Sequence, residues 1–162
     1  MVNGMEIQGL RFGEGLPKIC VPLTGQGIPA LLSELQRVAA LPADLYEWRI
    51  DCFFGDPLPV LPAVTERLDG KPLLCTLRTQ QEGGQAALSP EEYEKQVTAL
   101  LSAGGFGLVD IELACGEERV NRLVRLAKSQ GVAVVLSKHD FKKTPPAQEI
   151  TATLLRMKEL GA

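Results

Sequence analysis

The segment YEWRID, residues 46–51, places a charged residue at every second position of an otherwise apolar stretch. Successive side chains of a β-strand point to opposite faces, so the charged members would share one face: Glu47, Arg49 and Asp51. One interpretation is a solvent-facing edge strand. The other is a strand of a parallel sheet, whose two faces are both covered, so that these charges line an enclosed polar cavity. The rest of the chain decides between the two.

Short apolar segments alternate with longer segments of helical periodicity from residue 18 onward. The apolar segments predict strands over residues 18–25, 44–51, 72–79, 107–113 and 132–140. The intervening segments predict helices over residues 28–41, 89–105, 116–131, 145–161 and the second half of 56–70. Strands begin about 30 residues apart, the length of a βα unit, which predicts a parallel sheet with right-handed crossovers.

Two α/β architectures contain such units: a doubly wound open sheet and a (βα)8 barrel of the TIM-barrel type. A doubly wound nucleotide-binding sheet would show a glycine-rich turn after its first strand. The turn LTGQGIP (23–29) has no third glycine in register and no phosphate-binding lysine, so an ordinary βα turn is favoured. The charges of YEWRID favour the barrel, because only an enclosed polar interior explains them in a parallel sheet.

The residues before Lys18 form two short segments around a glycine turn, which predicts a β-hairpin. We therefore interpret the chain as a single domain, residues 1–162. A hairpin (1–17) precedes the barrel and covers its bottom, and the first five βα units of the barrel occupy residues 18–162.

Further polar residues fall at or near the carboxyl ends of the predicted strands, where barrel enzymes carry their active sites. Asp110 and Glu112 share a face two residues apart, and Arg78 and His139 lie near two other strand ends. Asp110 and Glu112 could belong to an active-site wall or to an internal ion pair, and Arg78 could be a salt-bridge partner of Glu47 or Asp110. A single histidine is also often structural, so these residues alone leave the function open.

The composition is that of an ordinary globular protein: 45% hydrophobic and 23% charged residues, with a net charge of −3. It favours neither a nucleic-acid nor a membrane partner, and we expect no secretory signal and no apolar run long enough to span a bilayer. The four cysteines are widely separated, which indicates reduced thiols, a cytoplasmic location and no metal site or cofactor. Cys20 and Cys75 lie in apolar runs and are expected to be small buried hydrophobes.

Four motifs in order along the whole chain resemble type I 3-dehydroquinate dehydratase: GEGLPKI (13–19), EWRID (47–51), TLRTQQEGG (76–84) and SKHDF (137–141). The resemblance implies a (βα)8 barrel preceded by a hairpin. It also implies dehydration of 3-dehydroquinate to 3-dehydroshikimate in the shikimate pathway of aromatic amino acid biosynthesis, through a Schiff base between a lysine and the substrate ketone.

The same resemblance assigns roles to individual residues. It makes His139 the proton-transfer residue, Glu82 its carboxylate partner, and Glu47, Arg49 and Arg78 substrate-binding residues, with Asp51 in a supporting role. Chemistry agrees with this set, because dehydration beside a carbonyl needs an acid and a base, and histidine can serve as either. Arginine can bind a carboxylate through two hydrogen bonds, and glutamate accepts hydrogen bonds from hydroxyl groups.

The Schiff-base lysine of the family is expected beyond residue 162, on the strand after the fifth helix. Lys138 is predicted to point away from the interior because it adjoins His139 in a strand. Five βα units cannot close a barrel, so the chain is expected to be part of a longer enzyme or to be completed by another chain. A homo-oligomer, in the simplest case a dimer, is the expected assembly, with 3-dehydroquinate as the small-molecule partner.

Two other interpretations stay open at this point. The chain could be a catalytically incomplete fragment that binds quinate-like carboxylic acids through Arg78 or associates with other chains. It could also be an unrelated (βα)8 lyase or aldolase if the motif matches are accidental.

Overall fold

The computed structural model describes residues 4–162, which begin with an antiparallel β-hairpin. Strands β1 (Met5–Ile7) and β2 (Leu10–Phe12) pair across a two-residue turn. Both turn residues, Gln8 and Gly9, have positive φ angles of 48° and 81°, as tight hairpins require. The hairpin packs on the start of a later strand, since a Cβ at Gly107 would lie 2.6 Å from the Gln8 side chain. The predicted hairpin is therefore present; residues 1–3 of its predicted range lie outside the described residues.

Five parallel strands follow, each joined to the next by a helix. The strands are β3 (Cys20–Leu23), β4 (Leu45–Arg49), β5 (Leu73–Thr76), β6 (Leu108–Glu112) and β7 (Ala133–Ser137). The helices are α1 (Ile28–Val38), α2 (Leu61–Glu66), α3 (Pro90–Ala103), α4 (Glu117–Ser129) and α5 (Ala147–Leu160).

The order of the strands in the sheet equals their order in the chain, β3-β4-β5-β6-β7. A doubly wound sheet reverses its strand order at a switch point, whereas a barrel adds each strand to the same side. The predicted series of barrel-type βα units is confirmed. Most elements end within a few residues of the predicted limits; α2 begins earlier than predicted because a proline is accommodated in its first turn.

The hydrophobic core fills the space between the sheet and its helices. Tyr46 and Trp48 point into this core, and the Trp48 ring meets that of Phe53 edge-on at 5.6 Å between centroids. The alternation predicted for β4 therefore holds, since Glu47 and Arg49 lie on the opposite face of the sheet. We call that opposite face, which helices α1–α5 do not cover, the inner face.

Two expectations about this region were wrong. Strand β4 ends at Arg49, and Asp51 lies in a one-turn 3-10 helix over residues 50–52, so its side chain is not placed by strand alternation. Cys20 was expected to be buried like Cys75, but it is exposed. The reason is that Cys20 alternates with the helix-facing Val21 and Leu23, and so lies on the inner face of β3, an edge strand with no further sheet partner among residues 4–162. Strand β7 forms the other edge, so these residues do not close a barrel.

Helices of the described part of the chain are all too short or too polar to cross a membrane.

Candidate active site

The polar residues singled out in the sequence lie at the carboxyl-terminal ends of neighbouring strands. Glu47 and Arg49 come from β4, Asp110 and Glu112 from β6, and Arg78 follows β5. His139 follows β7 and Glu82 lies in a short helical turn after β5. Because the carboxyl ends of parallel strands meet at one edge of the sheet, local strand geometry brings distant parts of the chain together.

Arg78 is the centre of a buried ion-pair cluster and is only 7% exposed. Its Nη1 lies 3.1 Å from Glu112 Oε1 and 3.4 Å from Glu82 Oε2, and its Nη2 lies 3.1 Å from Asp110 Oδ1. Nη1 also donates to Ser137 Oγ at 2.8 Å. The sequence suggested Glu47 or Asp110 as the salt-bridge partner of Arg78. The structure pairs Arg78 with Asp110, and Glu82 and Glu112 contact the same guanidinium.

Three buried carboxylates surround one guanidinium, so the charges of this cluster do not balance. Burial raises the pKa of Asp110, although Arg78 and a 2.8 Å hydrogen bond from Ser137 Oγ oppose the effect. Ser137 was missed in the sequence. Its position two residues before His139 in the predicted strand over residues 132–140 was an available signal, because strand alternation would place both on one face.

Glu112 is held rigidly at the end of β6. Its carboxylate accepts hydrogen bonds from the Thr79 backbone N–H at 2.8 Å and from Thr79 Oγ1 at 2.6 Å. Its backbone N–H donates to the buried hydroxyl of Tyr93 at 2.9 Å, and that hydroxyl lies 3.4 Å from the Asp110 carbonyl. The β5–β6 pairing ends at Cys75 and Val109. The Tyr93 hydroxyl therefore provides hydrogen bonds to β6 where strand β5 no longer does.

Replacing Tyr93 with phenylalanine is expected to lower the free energy of unfolding by about 2 kcal/mol, because two buried backbone groups lose their partner. Tyr46→Phe is the matched control, since the Tyr46 hydroxyl contacts a single backbone group, the Val38 carbonyl, at 3.2 Å. It should cost about 1 kcal/mol. Urea unfolding of both variants measures the difference. Equal losses in the free energy of unfolding would show that the Tyr93 hydroxyl stabilises the protein no more than a hydroxyl with a single backbone partner.

His139 is paired with Glu82. Glu82 Oε2 lies 2.8 Å from His139 Nδ1 and also accepts the His139 backbone N–H at 3.1 Å. The Glu82 side chain is buried, whereas that of His139 is 40% exposed. With the Nδ1 proton directed to the carboxylate, the neutral imidazole keeps a free lone pair on Nε2, so that Nε2 can accept a proton.

The two glycines of the EGG motif fit closely around this pair. Gly83 has a φ of 81°, and a Cβ there would lie 2.3 Å from the Phe141 ring. The Phe141 ring in turn stacks on the His139 imidazole, with 6.2 Å between centroids and 10° between planes. A Cβ at Gly84 would lie 2.1 Å from the Arg78 carbonyl oxygen. A side chain at Gly83 would therefore displace the Phe141 ring, and one at Gly84 would collide with the backbone of Arg78.

Glu47, Arg49 and Asp51 form a second polar group on β4 and the turn that follows it. Arg49 binds Asp51 through two hydrogen bonds, Nε to Oδ1 at 2.8 Å and Nη2 to Oδ2 at 2.7 Å. Burial alone would raise the pKa of Asp51, but hydrogen bonds from Arg49 and from the Gln85 backbone outweigh it, and the pKa is lowered. The Glu47 carboxylate has no hydrogen-bond partner among residues 4–162.

The lysines near His139 do not enter this cluster. Lys138 Nζ lies 3.7 Å from Glu149 of α5, on the helix side of the sheet. Lys142 and Lys143 follow in an exposed loop, where their backbone N–H groups donate to Asp140 Oδ1 at 2.8 and 3.2 Å. Within the described residues, the site therefore holds an acid–base pair and ion-paired arginines but no lysine amine.

A model of the type I 3-dehydroquinase family matches residues 19–162. The chain is 40% identical over 167 residues to the 3-dehydroquinate dehydratase of Listeria monocytogenes serotype 4a (strain HCC23), covering 99% of this chain and 66% of that protein. It is also 40% identical to the 3-dehydroquinate dehydratase of Syntrophotalea carbinolica, covering 98% of this chain and 64% of that one. The chain thus spans slightly less than two thirds of the length of these curated relatives.

Solved structures show the same similarity in three dimensions. The type I 3-dehydroquinate dehydratase of Clostridium difficile with covalently modified comenic acid matches with a TM-score of 0.94 at 34% identity, covering 100% of this chain and 66% of that one. The 3-dehydroquinate dehydratase of Enterococcus faecalis matches with a TM-score of 0.92 at 39% identity, covering 98% of this chain and 68% of that one. The predicted fold class, the first part of a (βα)8 barrel, is confirmed.

Proposed function

This chain belongs to the type I 3-dehydroquinase family, and from that premise we propose that it serves the dehydration of 3-dehydroquinate to 3-dehydroshikimate through a lysine Schiff base. The observation that carries the proposal is the contact between His139 Nδ1 and Glu82 Oε2 at 2.8 Å. It presents one oriented histidine at the strand ends of the barrel, where the reaction needs a group that both accepts and donates a proton.

His139 is proposed to move the proton. Loss of water beside a carbonyl requires removal of a carbon-bound proton and protonation of the departing hydroxyl. Glu82 holds His139 through the imidazole Nδ1 and through the backbone N–H, which leaves Nε2 as the ring nitrogen that Glu82 does not bind. An iminium on the ketone carbon accepts the electron pair left by the proton, which is why a lysine is needed as nucleophile.

Glu47 and Arg49 are proposed to bind the hydroxyl groups of the ring. Arg49 uses one edge of its guanidinium for Asp51 and keeps N–H donors on the other edge, while Glu47 offers an acceptor on the same face. Arg78 is already surrounded by protein acceptors, so Arg49 is better placed for direct contact. Because three carboxylates already contact the Arg78 guanidinium, the geometry does not support the alternative function, a fragment that only binds quinate-like carboxylic acids through Arg78.

The negative charge of the site agrees with a cationic intermediate. Around the two arginines lie five carboxylates: Glu47, Asp51, Glu82, Asp110 and Glu112. Such an excess stabilises a protonated iminium or ammonium group. Because no lysine amine of the described residues enters this site, we propose that the Schiff-base lysine comes from outside residues 1–162, together with the strands that would complete the barrel.

The remaining proposals concern the setting of this activity. Residues 1–162 are proposed to be a single structural domain, with the hairpin covering the bottom of five barrel units. We infer a cytoplasmic enzyme of the shikimate pathway that works as a homodimer and needs no metal or organic cofactor. Sedimentation of the natural full-length protein tests the assembly.

The function is tested with the natural full-length protein and 3-dehydroquinate. We expect the ultraviolet absorbance of an enone product and, after borohydride reduction, a covalent adduct detected by intact mass. Quinate, which lacks the ketone, is the control and should give no adduct. Absence of both the enone and the adduct would exclude the function. An adduct mapped to a lysine within residues 1–162 would leave the function intact but contradict the proposed origin of the nucleophile.

A further inference from the structure

Arg49 lies between two carboxylates and binds only one of them. Glu47 precedes it by two residues on the same face of β4, and Asp51 follows it by two residues in the turn. Both could accept from the guanidinium, yet Nε and Nη2 of Arg49 are directed to Asp51, at 2.8 and 2.7 Å. Glu47 is therefore left open to a ligand, as is the opposite edge of Arg49.

Burial decides which carboxylate Arg49 binds. The Asp51 side chain is 0% exposed, whereas that of Arg49 is 26% exposed. A buried carboxylate without a partner is costly, because it has lost its water and gained nothing in return. Glu47 is half-buried and can keep water around its oxygens, so a neutral or missing side chain at position 51 would allow Arg49 to turn toward Glu47.

Asp51 has a second contact, with the loop that carries Glu82. The Gln85 backbone N–H donates to Asp51 Oδ2 at 3.0 Å, and Glu82 in the same loop holds His139. One buried carboxylate thus joins the binding group on β4 to the proton-transfer pair beyond β5. Both contacts use Oδ2, but only Arg49 also binds Oδ1, through Nε at 2.8 Å. An amide at this position can therefore keep an acceptor for the Gln85 N–H while it loses the charge and the second acceptor that hold Arg49.

We propose that Asp51 is a positioning residue, which holds Arg49 away from Glu47 and anchors the loop of Glu82. The Glu47 carboxylate and the opposite edge of Arg49 are then available before substrate binds. Substrate then finds both side chains already in place and pays no cost for separating them. The inference rests on the proposed function only in its kinetic part, since the position of Arg49 can be observed without turnover.

Two substitutions separate the two contacts in the natural full-length protein. Asp51→Asn removes the charge that holds Arg49 but keeps an acceptor for Gln85. We expect KM for 3-dehydroquinate to rise about tenfold with kcat within about threefold of wild type, as for a binding interaction lost equally in ground and transition states. Asp51→Ala removes both contacts, and here kcat should fall as well, because the loop of Glu82 loses its anchor.

The control is an ion pair of the same geometry between helices α3 and α4, with no contact to the described residues of the site. Arg122 binds Glu94 on the exposed surface through Nε at 2.6 Å and Nη2 at 3.0 Å, and Glu94→Gln should leave both kinetic constants unchanged. A general loss of stability would lower kcat without the selective rise in KM. A KM for Asp51→Asn within twofold of wild type overturns the proposal.

A nuclear magnetic resonance measurement gives an answer that does not depend on activity. The Nε–H signal of Arg49, identified by its absence in Arg49→Lys, should be sharp in the wild type and broadened by exchange with water in Asp51→Asn. A signal that stays sharp overturns the positioning role, whatever the kinetics. If the wild type does not act on 3-dehydroquinate, the proposed function fails, and this signal still decides the role of Asp51.

Discussion

Replacement of His139 by alanine in the natural full-length protein is expected to lower kcat about 1,000-fold, within the range that a positioned general acid–base contributes. His139 is the sole histidine of the chain, and its Nδ1 is already bound to Glu82. No other imidazole in these 162 residues can substitute for it. KM should change little, because Glu47 and Arg49 on β4 are proposed to bind the substrate independently of His139. Steady-state kinetics at saturating substrate measures the effect.

Two comparisons distinguish proton transfer from a structural role of His139. Glu82→Gln keeps an acceptor oxygen for the imidazole and removes the charge, so the loss in kcat should be about tenfold and smaller than that of His139→Ala. Added imidazole should restore part of the activity of His139→Ala and none of that of Glu82→Gln. Retention of wild-type kcat by His139→Ala would remove the main argument for the proposed function.

The alternation of polar and apolar residues in YEWRID was enough to predict which face of β4 is polar. Tyr46 and Trp48 pack against the helices, and Glu47 and Arg49 lie on the inner face, as the two-residue period requires. Spacing of the apolar segments predicted parallel strands, and the observed strand order distinguishes a barrel from a doubly wound sheet. The local sequence pattern was thus sufficient to predict the fold, because each βα unit is formed by residues that are close together in the sequence.

The partners of the charged residues could not be predicted in the same way. Arg78 meets Asp110, Glu112 and Ser137 across two neighbouring strands, and the choice among them depends on strand register. Tyr93 gave no polar signal either, since at helical spacing it resembles an ordinary core residue. Asp51 was assigned to the correct region, but the turn that directs it to Arg49 begins one residue after the strand ends.

Replacement of Arg78 by methionine is expected to lower the free energy of unfolding by about 3–5 kcal/mol at pH 7. Three buried carboxylates would then share no cation, and loss of one partner from a buried ion pair costs about this much. The side chains involved are all at most 8% exposed, so water cannot replace the guanidinium. Urea unfolding of the natural full-length protein measures the change. Arg122→Met is the control, and it should leave the midpoint nearly unchanged because its ion pair with Glu94 is exposed.

The pH dependence of the Arg78→Met variant separates electrostatics from lost packing. Burial already raises the pKa of Asp110 in the folded protein, and removal of Arg78 would raise it further. A carboxyl group whose pKa is higher in the folded state than in the unfolded one stabilises the protein below its unfolded pKa, near 3.9, and this contribution is lost as the pH rises through the folded pKa. The difference in stability between wild type and variant should therefore shrink as the pH falls from 7 toward 4. A difference that stays constant over this range would show that Arg78 acts by filling space, and that the buried carboxylates do not depend on its charge.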